Sequence, residues 1–158
     1  MVIDLGAAPG GWSQVVVEMG AKAIAVDINI MKPIEGVQFI QGDITEETTV
    51  ARILREVKKA DAIISDMAPN LTGNYVMDQA RSVWLAQNAL QISEQVLTIG
   101  GNMVCKVFMG EDYPDFLAEV EHRFEMVKPF SPKASRKHSS ETYIIAKNFT
   151  GYQQASVR

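Results

Sequence analysis

The stretch Met1-Val-Ile-Asp-Leu-Gly-Ala-Ala-Pro-Gly-Gly-Trp12 decides the fold. Residues 1–5 form a short apolar run, which reads as a buried strand. Gly6-Ala7-Ala8-Pro9-Gly10-Gly11 breaks it, and residues 12–19 read as a helix. A strand, a glycine turn and a helix make a corner. That corner offers bare backbone and the unpaired N–H groups of a helix start to an anionic ligand.

Spacing narrows the ligand. A dinucleotide loop wants G-x-G-x-x-G, and Ala8 breaks that pattern. A triphosphate loop wants Lys-Ser/Thr after its last glycine, where Trp12-Ser13 stand instead. A smaller anion, such as an amino-acid carboxylate, fits better. The next apolar run, 21–26, leads into Asp27, about 20 residues past the first glycine, where an acid suits a ribose diol. A carboxylate at the turn and a ribose at the second strand together point to S-adenosylmethionine as cofactor.

Outward from this corner, strands and helices alternate, which predicts a parallel sheet with helices on both faces. Further strands are expected at 37–41, 60–65, 102–108, 124–130 and 141–148. Thr45 is expected to cap a helix running to Lys59, with Val50, Ile53, Leu54 and Val57 inward. A long helix over 78–98 is expected to stop at Gly100-Gly101, and a third helix spans 113–123. The reading gives one domain over 1–149 and a flexible polar tail over 150–158. The chain begins on its central strand, so an N-terminal segment is expected to belong before it.

Composition sets bounds. Of 158 residues, 47% are hydrophobic and 22% charged, ordinary for a globular chain. No apolar run approaches the roughly 20 residues that cross a membrane, and no leader peptide is evident. The single cysteine, Cys105, excludes an internal disulfide and suits a reducing cytoplasm. His122 and His138 lie far from it, so no metal site is expected. A net charge of −4 argues against a protein that coats nucleic acid, while leaving room for a local basic patch. A monomer is expected.

Ligands of such sheets sit at the carboxyl ends of the strands. Asp4, Asp27, Asp43 and Asp66 stand at or near four such ends. Asp43, after Gly42, is placed to accept from an adenine amino group, and Asp66 to meet the middle of the cofactor. Asp4, inside an apolar strand, reads as structural or supporting. The cofactor set is therefore Gly6, Pro9, Gly10, Gly11, Trp12, Asp27, Ile28, Asp43, Ile44 and Asp66. Lys106 lies within Met103-Val-Cys-Lys-Val-Phe108, and a lysine in a core strand is unusual. It either snorkels to solvent or points into the site. Asp66, Lys106 and Glu141 come from three strand ends that converge in a doubly wound sheet.

The stretches Asp4-Leu-Gly-Ala-Ala-Pro-Gly-Gly-Trp-Ser13, Ser65-Asp-Met-Ala-Pro-Asn70, Cys105-Lys-Val-Phe108 and Ser140-Glu-Thr-Tyr-Ile-Ile-Ala146 resemble the FtsJ/RrmJ family of RNA ribose 2′-O-methyltransferases. The resemblance covers residues 1–149. It implies a Rossmann-like S-adenosylmethionine-dependent methyltransferase fold, α/β, with a seven-stranded, mostly parallel sheet and an antiparallel last strand. It also implies a Lys-Asp-Lys-Glu catalytic set. Asp66, Lys106 and Glu141 match its last three members, and the first lysine lies upstream of the first strand. Asp66 to Gly73, with Asp78 and Arg81, looks like the branch acting on large-subunit ribosomal RNA, with a uridine as target. A tRNA enzyme and an inactive cofactor- or RNA-binding fragment are the alternatives.

The chemistry is consistent. Methylating a ribose hydroxyl needs in-line positioning and removal of one proton. Lys106 is the candidate base or hydroxyl-orienting group. Lys133, Arg136 and Lys137, beside Lys128 and His138, form the basic stretch expected to meet RNA phosphates. Tyr75 and Met77, in the loop after Asp66, are placed to touch a splayed base. Base amino-methyltransferases carry an aromatic after a D/N-P-P turn; Asp66-Met-Ala-Pro69 lacks it, which disfavours that chemistry.

Overall fold

Strand β1 (Val2–Leu5) is the pivot of the molecule, with Ile3 and Leu5 fully buried. The structure, a computed structural model, describes residues 1–132 and 140–151. From β1 the chain passes through α1 (Gly11–Glu18), β2 (Ala23–Asp27) and β3 (Val37–Gln41). It returns through α2 (Glu47–Glu56) to β4 (Ala60–Ser65) on the other side of β1. Then come α3 (Tyr75–Val96), β5 (Leu97–Phe108), α4 (Tyr113–Glu121), β6 (Phe124–Phe130) and β7 (Glu141–Phe149). The strands form one sheet in the order β3-β2-β1-β4-β5-β7-β6. Only β7 runs against its neighbours. The order reverses between β1 and β4, and ligands of open α/β sheets bind outside the strand ends at such a point.

The two faces of the sheet are covered unequally. Ile3 and Leu5 point to the face where Ile53 of α2, Leu90 of α3 and Phe116 of α4 build the main core. Asp4, between them, points to the opposite face, where α1 packs and Ala7, Ala25 and Met31 form a small second cluster. The same two-residue period governs β5. Met103, Cys105 and Val107 are buried in the main core, which turns Lys106 to the α1 side. Lys106 pairs in register with Tyr143 of β7, so Tyr143 and, two residues away, Glu141 share that face.

Several boundaries differ from expectation: α2 ends at Glu56 rather than Lys59, and α4 at Glu121 rather than 123. Thr45 does not cap α2; Glu46 holds the cap position without a side-chain bond, because the Thr45 hydroxyl bonds Asp43 instead. Helix α3 begins at Tyr75, capped by Asn74, whose side chain accepts from the Met77 N–H at 3.2 Å. It ends at Val96 rather than at Gly100-Gly101. Leu97 is already buried and paired with Ala60, and the register of β5 against β4 then shifts to match Ala62 with Asn102. The two glycines thus lie within a strand and its irregularity. Asn74→Ala removes the cap of the longest helix and is expected to cost about 1 kcal/mol. It should appear as a lower urea midpoint with an unchanged slope.

Candidate active site

A cleft of about 390 Å³ opens beyond the carboxyl ends of β1, β2, β3 and β4. Six residues of the expected cofactor set line it: Gly6, Asp27, Ile28, Asp43, Ile44 and Asp66. Asp27 is held from both sides. Its Oδ2 accepts the Ala8 N–H of the glycine turn at 2.9 Å, and its Oδ1 accepts the Asn29 N–H at 2.8 Å. Asp43 folds its own turn, its Oδ1 accepting both the N–H and the hydroxyl of Thr45. The cleft therefore presents carboxylates whose orientation is set by backbone.

Pro9, Gly10, Gly11 and Trp12 are not among the cleft-lining residues. Gly10 is the left-handed N-cap of α1 (φ 118°) and packs against Met31 and Ile34. The Trp12 ring lies 5.7 Å from that of Tyr143, turning the start of α1 toward β7. Ala8, Asn29, Thr45, Asn70 and Trp84 also line the cleft. Trp84 comes from α3, about twenty residues beyond the strand end that carries Asp66, and no local motif marks it.

Asp66, which lines the cleft, also meets Lys106. Lys106 Nζ stands 3.0 Å from Asp66 Oδ1 and 3.9 Å from Glu141 Oε2. The lysine side chain is only 13% exposed, so it enters the site rather than reaching bulk solvent. Tyr143 completes the group. Its hydroxyl donates to the same Asp66 oxygen at 2.8 Å, and its ring lies 5.9 Å from Lys106 Nζ. Burial, reinforced by the bond to Asp66, pushes the phenol well above its ordinary value, which keeps it a donor. Asp66, Lys106 and Glu141 are thus brought together as expected. Tyr143 was missed, although its place two residues after Glu141 in a strand puts it on the same face.

Asp4 sits behind this group. It is buried, its Oδ2 accepts from Ser13 Oγ at 2.7 Å, and its Oδ1 has no hydrogen-bond partner among the described residues. Burial raises its pKa, opposed by the Ser13 bond. A carboxyl that holds its proton more tightly when folded stabilises below the unfolded value of 3.8, and that contribution is lost as pH rises through the raised value. Asp4→Asn keeps an acceptor for Ser13 and removes the buried charge. Its thermal midpoint is expected to exceed that of the wild type at pH 8, by about 1 kcal/mol in stability, and to converge on it as pH falls. A constant gap across pH would contradict this. Cys105 is buried in the main core, where burial pushes its thiol to about 12, so it is no nucleophile at neutral pH.

Lys133, Arg136, Lys137 and His138 lie outside the described residues. Lys128 stands exposed on β6. Tyr75 and Met77 lie in the first turn of α3 rather than in a loop. The segment before them is folded back by Asp78, which accepts the N–H and hydroxyl of Thr72 at 2.9 and 2.7 Å. Those bonds hold its carboxyl below the ordinary value. Among the described residues, no helix is long and apolar enough to cross a membrane.

The strand order, the lone antiparallel β7 and the acidic cleft at the strand ends define a Rossmann-like methyltransferase fold. The FtsJ-like methyltransferase family matches residues 1–149, and the chain belongs to that family. A protein of Methanosarcina mazei named ribosomal RNA large subunit methyltransferase E is 49% identical over 151 residues, spanning 94% of this chain and 56% of the relative. One of the same name from Archaeoglobus fulgidus is 47% identical over 149 residues, spanning 94% and 78%. A crystal structure described as a ribosomal RNA methyltransferase from Plasmodium falciparum superposes with a TM-score of 0.83 at 31% identity, covering 95% of this chain and 86% of that one. The chain thus spans little more than half the length of the Methanosarcina relative.

Proposed function

We propose that this chain binds S-adenosylmethionine in the cleft and transfers its methyl group to a ribose 2′-hydroxyl of RNA, with large-subunit ribosomal RNA as substrate. One observation carries the reading: Asp66 both lines the cleft and grips Lys106, so the cofactor space and a largely buried lysine share a side chain. The relatives' shared name supports the choice of RNA.

The residues fit the cofactor. Asp27, fixed by two backbone N–H groups, suits a ribose diol; Ile28 and Ile44 supply apolar walls for a purine; Asp43 offers its Oδ2 to an amino group. When bound, the cofactor supplies an electrophilic methyl group. Lys106 orients the ribose hydroxyl and, acting as the free amine, takes up its proton as the oxygen bonds the methyl group, which leaves the lysine as an ammonium. Asp66 and Glu141 hold the ammonium in place, and Tyr143 holds Asp66. Lys133, Arg136 and Lys137, close before Glu141 in sequence, serve phosphates of the RNA. The protein works in the cytoplasm as a monomer.

The test is methyl transfer from labelled cofactor to ribosomal subunits and to deproteinised ribosomal RNA, followed by mapping of the label. Label is expected in a nucleotide whose 3′ bond resists alkali, as a 2′-O-methyl ribose does. Label found on a base, or none in RNA, would sink the proposal.

A further inference from the structure

Tyr75 opens α3 with its side chain more than half exposed, yet its hydroxyl is tied down, donating to the carbonyl of Met109 just beyond β5. Two more connections follow along the same helix face. Gln79 Nε2 donates to Asp112 Oδ2 at 2.8 Å while its Oε1 accepts the Asp112 N–H at 3.0 Å, and Ser82 Oγ accepts the Phe108 N–H at 2.9 Å. Positions 75, 79 and 82 follow the i, i+4, i+7 spacing of one helix face. Between them Gly110 lies so close that a Cβ there would stand 2.3 Å from Gln79 Cγ. The start of α3 is thus buckled flat against the segment that leaves β5.

This buckle has a consequence for the catalytic edge. Met109 follows Lys106 by three residues, and the segment ending in Tyr75 begins at Asp66. The buckled pair therefore bridges the two strand ends that supply the reacting groups. What it presents to solvent is apolar, an aromatic ring with Met109 beside it, itself 43% exposed. A ring tethered by its hydroxyl loses little freedom when a second flat group lies on it.

We propose that Tyr75 and Met109 form a stacking ledge for an unpaired base of the RNA strand whose ribose lies at Lys106. The inference rests on the proposed activity and adds the part of the substrate that the cleft and Lys106 leave unheld. A stacking ledge accepts any base, so it selects a splayed, single-stranded nucleotide rather than a particular letter.

Binding of fluorescently labelled short oligouridylate is compared with binding of an abasic ribose-phosphate strand of equal length, with S-adenosylhomocysteine present. Tyr75→Ala is expected to weaken the oligouridylate about tenfold and to leave the abasic strand unchanged. Tyr75→Phe, which keeps the ring, retains most of the preference for the strand with bases. Equal losses on both strands, or no loss on either, overturn the ledge while leaving the methyltransferase reading intact. A wild-type chain that binds neither strand overturns both.

Discussion

Lys106→Met is expected to lower the rate of methyl transfer by about 10²–10⁴-fold, the range that general acid–base groups contribute. Affinity for S-adenosylhomocysteine should stay near that of the wild type. Methionine keeps the length and bulk of the lysine stem and deletes the ammonium that sits 3.0 Å from Asp66 and 3.9 Å from Glu141. Asp27 and Asp43, which would hold the cofactor, bond to backbone and to Thr45 and so are independent of this change, while Asp66, which loses its ammonium partner, keeps the Tyr143 hydroxyl. Lys106→Arg sharpens the test. It keeps the charge near Asp66 but replaces a compact three-donor head with a planar fork that does not surrender its proton. If Lys106 removes the hydroxyl proton, arginine fails almost as fully as methionine; if it only neutralises the two carboxylates, arginine restores most of the rate. Single-turnover rates with saturating cofactor separate the outcomes. A Lys106→Met rate within threefold of the wild type would remove Lys106 from the mechanism.

What was legible in the sequence follows a physical pattern. Asp27, Asp43 and Asp66 stood out because each closes an apolar run, and the sheet order then forces all three to one edge. Lys106 stood out because a charge interrupts a buried strand, and the pairing of Lys106 with Tyr143 shows why the interruption is tolerated: that face of β5 turns toward the site. Local signals say less where tertiary packing decides. Pro9 to Trp12 carry the pattern of a ligand loop and follow the cleft-lining Ala8, with Gly10 against Met31 and Ile34 and Trp12 against Tyr143. Trp84 reaches the cleft from the third turn of α3, through a helix position that sequence period alone assigns to solvent as readily as to a site. Gly100-Gly101 looked like a helix stop because glycine ends helices. The burial of Leu97 against Ala60 begins β5 earlier, and the glycines take up the change of register instead.

The turn glycine that lines the cleft has a measurable role of its own. Gly6 adopts φ 73°, and a Cβ built on it would stand 2.6 Å from Met67 Cγ and 3.2 Å from both the Cα and N of Met67. Gly6→Ala therefore carries two costs. The left-handed backbone costs an L residue about 1–2 kcal/mol, and forcing a methyl into a packed contact costs about 1–3 kcal/mol more. The second is relieved only if Met67 moves. The Asp66 N–H is bonded to the Leu5 carbonyl at 3.2 Å, so moving the next residue strains the segment that carries the carboxylate gripping Lys106. Affinity for S-adenosylhomocysteine is expected to fall at least tenfold under conditions where the variant is still fully folded, together with a lower thermal midpoint. Phe116→Ala supplies the contrast. That side chain is fully buried in the main core, on the face opposite Asp4, and its truncation should cost about 3–5 kcal/mol without touching the cleft. Below its midpoint Phe116→Ala should bind the cofactor product as the wild type does. Were Gly6→Ala to lose stability alone and keep wild-type affinity, the cleft at the end of β1 would not be the cofactor site, and the roles assigned to Asp27 and Asp43 would fall with it.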